Sequence, residues 1–122
     1  MIKVRLRLLA ERLEKIDATV KSKRVRTFDI RTWVRKNECN TVACAVGEAT
    51  FMKRFRDLGL RWSPGAVSPA YKNYFGWLAV QKFFGLTLDQ ATWLFTVGGY
   101  GRSTGNVGPG EVAARIRELL GE

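Results

Sequence analysis

Ile2, Leu6, Leu9, Leu13, Ile16 and Val20 recur at spacings of 4, 3, 4, 3 and 4. An α-helix brings all six onto one stripe and holds Lys3, Arg7, Arg12 and Lys15 away from it. A chain that opens this way must supply a second apolar surface to cover the stripe. Residues 2–8 also alternate as a strand would, but the continuation "AERLEKI" decides for helix and leaves its start open. The spacing is heptad-like over fewer than three heptads, so docking on the chain's own core is expected, with a homodimer through this N-terminal helix as the alternative.

The rest of the chain offers further helices to provide that cover. Asn40 or Thr41 can cap a helix running to about Leu58, where Gly59 suits the left-handed stop. Ala43, Val46, Thr50 and Phe51 would share one side of it. "SPGAVSPAYKN" reads as a loop from its two prolines and its glycine. Tyr74 to Phe84 reads as a short buried helix closed by Gly85, and Thr87 with Gln90 forms a capping box for a helix through Phe95. Six glycines between Gly98 and Gly110 dictate a loop, after which Pro109 opens a last amphipathic helix. The expected fold is therefore all-α, a compact bundle of about five short helices with at most a trace of β-strand. It would be one domain over 1–122, with a basic N-terminal third (1–36), a helical core (40–95), a Gly-rich loop (98–110) and a C-terminal helix (110–121).

Charge is spread unevenly along this plan. The chain carries a formal +10. Residues 1–36 hold twelve Lys/Arg against four acidic residues, giving +8, and 37–122 hold nine against seven, giving +2. Such asymmetry is the footprint of a polyanion partner, whose counterions are released on contact. Its centre is the connector Lys21, Lys23, Arg24, Arg26, Arg31, Arg35 and Lys36, opposed only by Asp29 and interleaved with Phe28 and Trp33. These residues are the candidate nucleic-acid site: charges for phosphates, with Trp33 available to stack on a base or to anchor the core. An acidic or nucleic-acid-bearing protein complex would present the same negative potential. No membrane partner is expected, because the longest apolar runs fall well below the roughly 18 residues that span a bilayer. The N-terminus lacks the uninterrupted apolar core of a signal peptide, which makes the cytoplasm the expected compartment.

Histidine is absent. That removes Ser-His-Asp and Cys-His nucleophile systems and the usual zinc ligand. Two cysteines cannot build a structural zinc site alone, so no metal or cofactor is expected and no enzymatic system is legible. Cys39, expected near a helix N-terminus, is a candidate reactive thiol, because unpaired amides favour thiolate. Cys44 lies in the small-residue run "ACAVG" and suits packing. Glu48, one helical turn beyond it, is expected to pair with a nearby Lys or Arg. The glycine-rich "GGYGRSTGNVGPGE" matches no phosphate-loop spacing and reads as a surface loop. Tyr100 and Arg102 within it are the residues that could close over a nucleotide.

At "FDIRTWVRKNECNTVACAVGEA" the chain resembles a family of small, largely uncharacterised bacterial and bacteriophage proteins. Their pattern is an F-D-M-x-x-W piece followed by C-G-T-x-x-C-x-x-G-x-A. Phe28, Asp29 and Trp33 match the first part, and Cys39, Thr41, Cys44, Gly47 and Ala49 the second. Tyr71, "FFGLTLDQATWLF" and "PGEVAARIRELL" extend the likeness over residues 28–120. Asn40 stands where glycine is usual and Glu48 where histidine or an aromatic is common. The resemblance implies a phage or mobile-element origin and an accessory role such as blocking a host defence system; it brings no activity. A phage inhibitor docking on a host protein and a nucleotide sponge or small enzyme using the glycine loop are thus the alternatives to nucleic-acid binding.

Overall fold

A computed structural model describes residues 1–23, 34–36, 41–101 and 107–122, with backbone alone for 19–23, 34–36 and 41–43. The N-terminal stripe does form a helix, α1 (Lys3–Lys23). Leu6, Leu9, Ala10 and Leu13 are completely buried. The cover comes from the other end of the chain: α6 (Pro109–Leu120) lies along α1 and contributes Val112, Ala113 and Ile116. The leucines a dimer seam would need are thus consumed within one chain.

Three further helices complete the core: α2 (Ala45–Phe51), α4 (Trp77–Phe84) and α5 (Leu88–Phe95). A fourth, short helix α3 (Lys53–Asp57) follows α2 after a break. Gly85 closes α4 with φ +67, and the Thr87–Gln90 capping box opens α5. At the centre, Phe55 meets Phe83 and Phe84 edge-on at centroid separations of 5.1 and 5.8 Å. Phe83 in turn meets Tyr71 at 5.2 Å. Such edge-to-face contacts satisfy the ring quadrupoles and fix the packing beyond mere burial.

The all-α expectation is overturned. Among the described residues β3 (Leu60–Ser63), β4 (Ser68–Tyr71) and β5 (Tyr74–Phe75) form a three-stranded antiparallel sheet in that order. A separate two-stranded ladder pairs β1 (Val34–Lys36) with β2 (Thr41–Ala43), Arg35 opposite Val42. The supposed loop "SPGAVSPAYKN" is therefore two hairpin turns and the strand between them. Its disguise has physical causes. Pro69 sits in the central strand, where a missing N–H usually argues against a strand. The turns place Val67 (φ +51) and Lys72 (φ +54) in the left-handed region, so the Asn-Gly or Asp-Gly hairpin signals are absent. Tyr74 belongs to β5, which also shortens the expected Tyr74–Phe84 helix to α4.

The expected single helix from residue 40 to Leu58 is corrected in the same way. Thr41 lies in β2, and the cap of α2 is Cys44, whose Sγ accepts from Gly47 N at 3.4 Å. Met52, with extended backbone (ψ 119), ends α2 and starts α3. A continuous helix would set Phe51 and Phe55 on one face. With the break, Phe51 is 37 % exposed and Phe55 fully buried.

Candidate nucleic-acid interface

Of the connector residues, Lys21 and Lys23 lie on the last turn of α1, and Arg35 and Lys36 on β1 opposite Val42 and Thr41. Arg24, Arg26, Arg31 and Trp33 lie outside the described residues, as do Cys39 and Arg102. The ladder β1–β2 brings Arg35 and Lys36 back to the strand that leads into α2, so the basic segment is tied at both ends to core helices.

The described cations of α1 divide into two kinds. Arg7 donates to Glu122 at 2.7 Å, and Arg12 reaches Glu48 at 3.4 Å. Arg117 of α6 closes the seam by pairing with Glu14 at 2.8 Å and with Glu122 at 3.4 Å. These pairs spend part of the N-terminal charge on holding α1 to α6 and α2. Glu122 is held below the usual carboxylate range by its hydrogen bond from Arg7. No local signal reveals such pairs, whose partners are distant in sequence. Arg5 is different: its Nη1 donates to Phe83 O at 2.8 Å and its guanidinium lies 4.4 Å from the Phe83 ring.

A second basic surface was missed by dividing the chain at residue 36. Residues 58–88 contain no Asp or Glu but include Arg61, Lys72 and Lys82. Tyr71 and Tyr74 are cross-strand partners at the β4–β5 turn. Lys72 Nζ lies 5.2 Å from the Tyr71 ring, and Lys82 Nζ 5.3 Å from the Tyr74 ring. Arg5, foremost, and Lys72 hold the Tyr71 hydroxyl below the ordinary phenol range. The signal available in the sequence was the long stretch without an acid.

Cys44 is built into the interior, and Tyr100 of the glycine segment is half-buried. Cys44 is the thiol at a helix N-terminus, yet burial pushes it up to about 11 against the lowering effect of the Gly47 and Val46 amides. Desolvation outweighs the helix-end field, so it is protonated at neutral pH. Glu48 is buried beside it, raised by the same desolvation and pulled back by Arg12. At the glycine segment, the Tyr100 hydroxyl donates to Leu94 O at 2.8 Å. The Arg115 guanidinium lies 3.7 Å from the Tyr100 ring and 4.6 Å from that of Trp93, and donates to Trp93 O and Gly99 O. The α6 N-terminus already holds an anion: Asp17 Oδ1 accepts from Gly110 N at 3.2 Å.

Among the described residues no group of three or more His, Cys, Asp or Glu side chains could hold a metal ion. No helix among them is long and apolar enough to cross a membrane. No protein-family model, curated protein or solved structure matches the chain.

Proposed function

We propose that the chain is a small basic binding protein that engages nucleic acid, or a complex bearing it, through phosphate contacts of its 21–36 segment. The observation that carries the reading is seven Lys/Arg against the single Asp29 in those residues. Phosphate neutralisation needs charge and reach rather than a shaped pocket, and it discriminates little between base sequences. The internal ion pairs of Arg7 and Arg12 support the assignment indirectly, because they account for basic residues outside the segment.

The test is fluorescence anisotropy with labelled single- and double-stranded DNA and RNA at about 50 and about 200 mM salt. The expected result is affinity that falls by orders of magnitude between the two conditions. A variant with Arg24, Arg26, Arg31 and Arg35 changed to Gln should lose most of it. Absent or salt-insensitive binding overturns the reading, and a partner retained from nuclease-treated host lysate would then favour docking on an acidic protein.

A further inference from the structure

The geometry points to a second contact surface for nucleic acid at the Tyr71–Tyr74 pair, with Arg5, Lys72 and Lys82 as its phosphate ligands. The inference rests on the nucleic-acid reading above and adds a site remote in sequence from the 21–36 segment.

Three elements converge there: α1 through Arg5, the β4–β5 turn through Lys72, and α4 through Lys82. Among the described residues none of the three cations has a carboxylate partner. The tyrosine rings hold the cations in place, Lys72 against Tyr71 and Lys82 against Tyr74, at separations near 5 Å. Arg5 is seated by Phe83 O, the Phe83 ring and the Tyr71 hydroxyl, and its guanidinium has further N–H groups to offer an anion.

Two features make this a presented surface rather than stray lysines. Lys72 has φ +54, a left-handed position where glycine or asparagine is less strained, so a long cation stands at the turn against backbone preference. Residues 58–88 carry no Asp or Glu, so no carboxylate of the three-stranded sheet or of α4 competes with an anion there. Cations without a carboxylate partner among the described residues suit the phosphates of a nucleic acid.

The experiment measures binding of a labelled oligo-dT by anisotropy across a salt series for three proteins: wild type, Lys72→Asn/Lys82→Gln, and the four-Arg connector variant. Circular dichroism melting checks that each is folded. Two lost phosphate contacts should make the log–log salt slope shallower by about 1.4, at about 0.7 per single-strand phosphate, and weaken binding at least several-fold at low salt. An unchanged slope in the double lysine variant, with the connector variant impaired, overturns this site and leaves the connector reading standing. The opposite pattern supports this site and overturns the connector. No binding by wild type overturns both, and equal competition by polyglutamate overturns the choice of nucleic acid as the occupant.

Discussion

Cys44 and Glu48 show how little a side chain's identity says about its chemistry until its solvation is known. A thiol at a helix start and a carboxylate one turn later would be an acid/base pair on a wet surface. Here both are buried, Cys44 caps α2, and Glu48 leans on Arg12. Because the folded pKa of Glu48 lies above its ordinary 4.5, the native state binds this proton more tightly than the unfolded chain. The associated stability is fully present below about pH 4.5 and is lost as pH rises through the folded value. Urea unfolding of wild type and Glu48→Gln from pH 4 to 7 should therefore show wild type losing stability relative to the variant as pH rises. A constant difference across that range would mean that Arg12 cancels the desolvation.

At the scale of elements, the seam between α1 and α6 is closed by a close approach. A Cβ at Gly110 would come within 2.8 Å of the Asp17 carboxylate, which is the acceptor for Gly110 N. The carboxylate therefore stabilises the positive end of α6 from across the interface. Gly110→Ala should displace Asp17 and cost about 1–2 kcal/mol, the size of a lost cap, despite alanine's better helix propensity. A melting temperature equal to or above wild type would show that Asp17 does not hold this end. The opposite end of the glycine segment is secured by Arg115 between Tyr100 and Trp93. Arg115→Lys keeps the charge but loses the planar guanidinium that lies against the Tyr100 and Trp93 rings while its Nη1 donates to two carbonyls, and should cost about 1.5–3 kcal/mol. Thermal melting would read this directly, and a loss below about 0.5 kcal/mol would refute the role.

For the molecule as a whole, a formal +10 on 122 residues opposes compaction by self-repulsion. The ion pairs of the α1–α6 seam act in the other direction, but Arg7 with Glu122 and Arg117 with Glu14 are largely solvent-exposed and individually weak. Raising salt from about 20 to about 150 mM, which shortens the screening length to about 8 Å, should therefore raise the melting temperature by a few degrees. A fall would show that the seam pairs outweigh the repulsion. On the proposed reading, stability and binding would share one resource: cations left without carboxylates cost stability and would be the ones available to a polyanion.

What the sequence alone determined was whatever is encoded within one or two helical turns. The 3-and-4 spacing of Leu6, Leu9 and Leu13 specified α1, Thr87 and Gln90 specified the start of α5, and Gly85 specified the end of α4. Local geometry decides these, so local residues reveal them. Tertiary structure decided the rest. Pro69 in a central strand, turns on Val67 and Lys72, and the extended Met52 all contradict local preference, and the strands and helices they join pack into one core around the Phe55–Phe83–Phe84 cluster. The candidate surfaces divide the same way. The charge of residues 21–36 is a sum over neighbours in sequence and could be read directly. The gathering of Arg5, Lys72 and Lys82 on Tyr71 and Tyr74 required α1, the sheet and α4 to meet, because long-range contacts alone bring those charges together.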